Sequence, residues 1–388
     1  MAERFFLPPL SVYLHFPWCI QKCPYCDFNS HEARGSLPEA AYVAALLADL
    51  DAELACHAEL GARSVISVFM GGGTPSLFSA EKIARLLAGL RARLLLSEDA
   101  EITLEANPGT LREEISEKKM WEWREAGVNR LSLGIQSFHD ARLAALGRIH
   151  DAEEGRRAAR DAARIFPRVN LDLMYGLPGE TLEEACADAR RALEFGVTHL
   201  SCYQLSIEPH TAFAAVPPDL PEEDLCAEMG EAMSGIFLRA GFARYEISAF
   251  AREGGQCRHN RNYWEFGDYL GLGAGAHGKL SFPRGVMRQE RFSRPETYLR
   301  RVKFGGAARK NVRVAEADLP LEFLMNALRL SDGFSPALYA ERTGLLYSAL
   351  LPRLERAAAL GLLRVTPDRV WATELGRRFL NRLLESLM

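Results

Sequence analysis

The stretch Ser11-Val-Tyr13-Leu-His15-Phe16-Pro-Trp18-Cys19-Ile-Gln-Lys-Cys23-Pro-Tyr25-Cys26 carries a short β-like run straight into three cysteines spread over eight residues. Thiolates are the ligands an iron-sulfur cluster takes, and three of them leave one iron of a 4Fe-4S cluster open to a small molecule. A structural zinc site wants four protein ligands, and the nearby His15 and His31 do not fall at finger-like spacing. The other cysteines, Cys56, Cys186, Cys202, Cys226 and Cys257, are scattered singly. That is no disulfide framework, so reduced, mostly buried thiols are expected.

Outward from this stretch, six β-like runs alternate with apolar-periodic helical ones. Strands are expected at 11–16, 65–70, 101–106, 130–135, 169–175 and 199–207, and helices at 38–60, 80–95, 111–126, 152–166 and 182–195. Repeated βα units build a parallel sheet covered by helices, either open or curled into a barrel, and the pattern alone does not choose. The unusual residues favour a barrel, where chemistry collects at the C-terminal ends of the strands. The cysteines follow strand one, and Gly71-Gly72-Gly73-Thr74-Pro75 follows strand two. Glu105-Ala-Asn107-Pro108 ends strand three, and Gly134-Ile-Gln136-Ser137-Phe138 ends strand four. Asp172 precedes Tyr175-Gly176-Leu177-Pro178 in strand five, and Ser206 to Pro209 follows strand six. Each alone is ordinary turn chemistry, but their recurrence at one end of every strand is hard to explain by packing.

The expected fold class is therefore α/β, a partial (β/α)6 TIM-like barrel over residues 1–240. Residues 241–317 read as a Gly/aromatic-rich extension, and 318–388 as three helices, two short strands near 363–365 and 370–372, and a closing helix, a winged-helix-like order. From Asp318 onward nine arginines face eight acidic residues with no lysine, so there is no basic stripe for nucleic acid. The net charge of −4 gives no electrostatic reason to expect nucleic acid or an anionic membrane as the main partner. No apolar run reaches transmembrane length, and Glu3, Arg4 and Pro8-Pro9 break a signal-peptide core. The cytoplasm, a reducing compartment, is the expected location, with peripheral membrane contact left open. A GxGxxG string runs from Gly273 to Gly278 but lies outside any βαβ unit, so it reads as a flexible loop at the cluster end of the barrel.

The Cys-x-x-x-Cys-x-x-Cys spacing resembles the signature of the radical S-adenosylmethionine (SAM) superfamily. That resemblance implies that Cys19, Cys23 and Cys26 hold the cluster, with the SAM amino and carboxylate groups on the open iron. It also implies Tyr25 beside the adenine, Gly72, Gly73 and Thr74 at the methionine ammonium, Glu105 and Gln136 at the SAM hydroxyls, and Arg148 at the SAM carboxylate. Asp172 and Tyr13 occupy the remaining matching positions. The implied chemistry is one-electron reduction of SAM to methionine and a 5′-deoxyadenosyl radical.

His15-Phe-Pro-Trp18-Cys19, Gln136-Ser-Phe138, Leu146-Gly147-Arg148-Ile-His150, Asp172 to Pro178 and Tyr203-Gln-Leu narrow the match. They resemble the oxygen-independent coproporphyrinogen III oxidase family. Its oxidases carry a fourth cysteine two positions after the third and a longer N-terminal arm over the substrate. Here Phe28 stands at that cysteine's position, and ten residues precede the first strand. His259-Asn260-Arg-Asn-Tyr263-Trp264 resembles instead the His-Asn-x-x-Tyr-Trp motif of the HemW-type heme chaperones. This branch implies heme as a further cofactor, His259 as the candidate heme contact, and a heme-accepting protein of the respiratory chain as partner. Imidazole is a common axial ligand, and Tyr and Trp offer faces to a porphyrin. Other candidate ligands are His277, His210, His150 and Cys257. Radical decarboxylation of coproporphyrinogen III, or radical chemistry on another substrate, are the alternatives.

Overall fold

A computed structural model describes residues 7–111, 116–283 and 285–388. Most of the Met1–Leu10 stretch read against a signal peptide, and residues 112–115 of the expected third helix, lie outside them. Six strands run parallel in chain order, each paired to the next: β1 (Leu10–Phe16), β2 (Ser64–Gly72), β3 (Leu95–Ala106), β4 (Arg130–Gln136), β5 (Arg168–Tyr175) and β6 (His199–Gln204). Between and after them come α1 (Glu39–Cys56), α2 (Ala80–Arg91), α3 (Ser116–Ala126), α4 (Ala152–Ile165), α5 (Leu182–Leu193) and α6 (Glu223–Arg239). Asp151 and Thr181 start α4 and α5 with capping boxes, each closed by a Glu three residues on.

Side chains alternate across a strand, and here the two sides differ in kind. Val12, Leu14, Val68, Met70, Ile102, Leu104, Leu131, Leu133, Leu171, Leu173 and Leu200 face the helices and share one core with Leu46, Leu86, Trp123, Ala162 and Ala189. Their neighbours on the other side, Tyr13, Phe69, Glu105, Ser132, Asp172 and Ser201, all line a single cavity. Six strands whose second faces converge on one space form a curved trough, the partial barrel that the strand-end residues pointed to. Unlike the packed interior of a complete (β/α)8 barrel, this one is hollow, with polar and aromatic side chains on its walls.

The sheet continues past the barrel on both edges. The strands β7 (Ala243–Glu246) and β8 (Ala249–Ala251) add antiparallel beside β6. On the other edge β9 (Asp268–Leu272) pairs parallel with β1, followed by the antiparallel strands β10 (His277–Phe282), β11 (Gly285–Arg291) and β12 (Ala308–Arg313). The stretch read as a loop, 273–278, is thus a tight turn directly after one strand and the start of another. Its glycines hid the strands because they lower β-propensity, yet Gly273 and Gly275 are needed for left-handed backbone in the turn. The turn does reach the cysteine loop, since Asn29 Nδ2 donates to Ala274 O and Ser293 O, both at 2.9 Å.

The short helix α7 (Arg258–Trp264) closes the barrel at the N-terminal ends of its strands. Glu101 Oε1 accepts from the backbone N–H of Arg258 (2.9 Å) and His259 (3.4 Å), which serves the otherwise unpaired donors of the first turn. Asn262 Nδ2 donates to Ser11 Oγ and Asp268 O, tying the helix to β1 and β9. Further on come α8 (Pro295–Val302), α9 (Leu319–Ala327), α10 (Pro336–Thr343), α11 (Tyr347–Ala359), the β13 (Leu363–Val365) and β14 (Val370–Ala372) pair, and a closing helix broken in two, α12 (Glu374–Arg378) and α13 (Leu380–Ser386). Phe323, Phe334, Tyr339, Leu354, Val370 and Leu383 form a second core there, joined by Phe266 and Val286 from the extension. Among the described residues no helix is long and apolar enough to cross a membrane.

One buried charge group ties the extension to the barrel. Asp268 is fully buried and accepts from Lys279 Nζ (3.1 Å), Arg63 Nη2 (2.8 Å) and both the N–H and hydroxyl of Ser281. Burial pushes the Lys279 ammonium down to about 8, against the pull of Asp268. Asp268→Ala removes the partner and leaves a buried cation, so a loss of about 3–5 kcal/mol is expected in urea unfolding. A loss below about 1 kcal/mol, the range of an exposed pair, would show that water reaches the group.

Candidate cofactor and ligand site

Two cavities share a wall inside the barrel. The smaller, about 390 Å³, is lined by Cys19, Cys23 and Cys26 and by Tyr25, Gly72, Gly73, Thr74, Glu105, Gln136, Arg148 and Asp172. Every SAM candidate but Tyr13 is brought together here. Tyr13 faces the larger cavity, and its hydroxyl pairs with His15 Nδ1 at 3.1 Å.

The cysteine loop leaves β1 and is tied to the barrel at two of its thiols and to its own continuation at the third. Thr74 Oγ1 donates to Cys19 Sγ (3.3 Å), Arg148 Nη1 lies 3.6 Å from Cys23 Sγ, and Ser30 Oγ lies 3.8 Å from Cys26 Sγ. Burial pushes the Cys19 and Cys26 thiols above their ordinary range. Metal binding is what takes such half-buried thiols to thiolates. Three thiols on one cavity wall, with hydroxyl and guanidinium donors beside them, form a donor set suited to an iron-sulfur cluster.

The glycines have steric reasons. Gly72 has φ +108°, and a Cβ on it would strike the His15 ring; one on Gly73 would come within 2.7 Å of the carbonyl oxygens of Phe16 and Trp18. Bare backbone therefore lets β2 pass under the cysteine loop, and the Gly72 N–H donates to Glu105 Oε2 at 3.1 Å. Gln136 sits at φ +70°, where a shift in the β4–β5 register re-aims its side chain into the cavity. Burial, then the Asp172 charge, pushes the Glu105 carboxyl up to about 7.

The larger cavity, about 690 Å³, runs deeper toward the N-terminal ends of the strands and lies within the size range of ligand pockets. His259 rises into it from α7, its ring 5.0 Å from that of Phe69 and tilted by 33° to it. Its Nδ1 lies 3.1 Å from Ser67 Oγ, and Ser67 donates onward to Ser11 Oγ at 2.8 Å. The hydrogen is thus on Nδ1, and Nε2 keeps its lone pair with no hydrogen bond among the described residues. Burial, with the Arg130 charge second, pushes the imidazole down to about 3, so the ring is neutral at pH 7. A neutral ring with one nitrogen anchored and the other free is the form that ligates a metal.

The remaining heme candidates separate. His277 lines the larger cavity, whereas His210, His150 and Cys257 line neither. His150 Nε2 is 3.1 Å from Ile135 O, and Cys257 is sealed beside Glu101. Tyr263 lines the larger cavity, but Trp264, expected to offer a face to a porphyrin, turns away and lies under Arg329 at 4.4 Å. Phe28 lines both cavities and is 59 % exposed at their shared rim.

Sequence reasoning passed over Arg130, Ser132, Asn170, Ser201, Tyr203 and Asp27 as lining residues. The available signal was polar residues at alternate strand positions, as in Arg130-x-Ser132-x-Gly134-x-Gln136 and Asn170-x-Asp172.

The profile of the radical SAM superfamily matches residues 13–192, and that of the HemN C-terminal domain matches residues 314–379. Heme chaperone HemW of Escherichia coli (strain K12) is 47% identical over 98% of both chains, and that of Haemophilus influenzae 45% identical over 98% of both. A Bos taurus protein named radical S-adenosyl methionine domain-containing protein 1, mitochondrial, is 38% identical over 84% of this chain and 74% of its own. Among solved structures, coproporphyrinogen III oxidase from Escherichia coli superimposes with a TM-score of 0.81 over 99% of this chain and 91% of its own, at 24% identity, a likeness of fold.

Proposed function

This chain belongs to the heme chaperone HemW family of radical SAM proteins, and from that premise we propose that it binds heme in the larger cavity and passes it to a hemoprotein of the respiratory chain. Cys19, Cys23 and Cys26 would hold a 4Fe-4S cluster in the smaller cavity next door, and the polar residues around them would hold SAM. A cluster of this type supplies one electron for the reductive cleavage of SAM. The chain's own part is to hold and shield. Thr74 and Arg148 donate toward cluster thiols, Gln136 and Glu105 present acceptors to the SAM hydroxyls, and the Gly72–Gly73 backbone leaves room for the methionine end.

The observation that carries the heme reading is His259, anchored through Nδ1 with Nε2 free in a cavity of about 690 Å³. The adjoining wall through Gly72, Glu105 and Asp172 gives SAM and the cluster a route to influence that cavity.

Phe28 at the shared rim bears on the oxidase alternative, because an aromatic side chain stands where the oxidases carry their additional cysteine. Selective hydrogen abstraction also needs the tetrapyrrole enclosed and oriented. Under anaerobic reducing conditions with SAM, no conversion of coproporphyrinogen III to protoporphyrinogen IX is expected by chromatography of the products. Multiple turnovers would place the chain with the oxidases.

A further inference from the structure

Arg130 opens β4 and is 2 % exposed. A guanidinium this deep normally spends its five donors on carboxylates or carbonyls. The comparison within the chain is direct. Arg291, equally buried, pairs with Asp49 (3.0 Å) and Glu53 (2.8 Å), and Arg148 donates to Gly134 O (2.8 Å). No side-chain nitrogen of Arg130 makes a hydrogen bond among the described residues, its Nε is sealed from solvent without a partner, and the side chain lines the larger cavity.

Three carboxylates are close enough to feel its charge, and none of them hydrogen-bonds it among the described residues. Glu101 holds Arg168 with Oε2 (3.1 Å) and the start of α7 with Oε1, Asp172 accepts from Asn170 (2.8 Å) and Ser132 (3.2 Å), and Glu105 accepts from the Gly72 N–H (3.1 Å). A buried cation with free donors facing a cavity is completed by an anion on the cavity's ligand. A carboxylate, planar and able to take two parallel N–H bonds, matches the guanidinium fork. We propose that Arg130 is the carboxylate-recognition residue of the larger cavity, pairing with a propionate of the bound tetrapyrrole. This rests on the reading that heme occupies that cavity. The SAM carboxylate is the other source of the same chemistry, but Arg130 does not line the smaller cavity, where Arg148 does.

The test titrates heme and heme dimethyl ester into the full-length, cluster-loaded wild type and into Arg130→Gln, Arg130→Lys and Asn260→Trp. Asn260→Trp fills the larger cavity and is expected to weaken both ligands, which checks the cavity reading separately. Esterification is expected to weaken binding to the wild type by roughly 10- to 100-fold, the weight of a charge-assisted pair. Arg130→Gln should weaken heme by a similar factor and leave the ester unchanged, with Arg130→Lys in between and the SAM-induced change in the cluster spectrum intact. Equal affinity of the wild type for heme and ester overturns the proposal even if Arg130→Gln fails to fold. Loss of the SAM response with heme affinity retained assigns the guanidinium to SAM and also overturns it. If Asn260→Trp binds both ligands like the wild type, heme lies elsewhere and the assignment falls with the cavity reading. If Asn260→Trp blocks both while ester and Arg130→Gln have no effect, the cavity reading stands and the Arg130 assignment alone is wrong.

Discussion

Anaerobically reconstituted protein is expected to hold one 4Fe-4S cluster whose spectrum SAM perturbs, and Cys19→Ala, Cys23→Ala or Cys26→Ala should each abolish it. The effect is large because each thiolate would cap a separate iron, and among the described residues the cavity offers no fourth cysteine to take over. Cys56→Ala is the matched control, since Cys56 is exposed at the end of α1, away from both cavities. Iron and sulfide analysis with the visible absorption spectrum reads the outcome. Full iron loading in Cys23→Ala would remove the cysteine loop as the cluster site.

His259→Ala should shift or lose the Soret band of added heme while the cluster spectrum stays as in the wild type. The substitution removes the only ring nitrogen that α7 presents with a free lone pair to the larger cavity, and it also removes the tilted ring contact with Phe69. His277→Ala, measured in parallel, tests a second candidate histidine on that cavity, which sits at the start of β10 with an exposed side chain. Tyr263 contributes surface and no iron bond, so Tyr263→Ala is expected to lower affinity with little change in the position of the band. An unchanged spectrum and affinity in His259→Ala would take this residue out of heme binding.

The barrel was legible because two periodicities agreed. β-like runs alternating with helical ones marked the repeated βα units, and turn-forming or polar residues recurring at one end of every strand marked the end where the barrel gathers its chemistry. The smaller cavity was legible for a related reason. Its residues sit at strand ends on motifs short enough to recognise, as with Gly72-Gly73-Thr74. Tyr13 escaped that logic because it lies in mid-strand, where alternation turns it inward but depth decides which cavity it meets. The same blindness to depth hid Arg130, whose charge looks like an ordinary strand-start residue until the fold buries it. Trp264 was misread because a helix of seven residues sends neighbours to different sides, Tyr263 to the cavity and Trp264 toward Arg329. In the extension, glycines demanded by close backbone approach masked strands that only the edges of the barrel make stable.

Heme transfer tests the central claim most directly. The protein, loaded with one equivalent of heme and freed of excess, is mixed with the apo form of a respiratory b-type hemoprotein, and the spectra of donor and acceptor are followed together. The account expects the donor band to fall as the acceptor band rises, faster than heme leaves the donor when no acceptor is present. Failure to retain heme, or transfer no faster than spontaneous release, would contradict it.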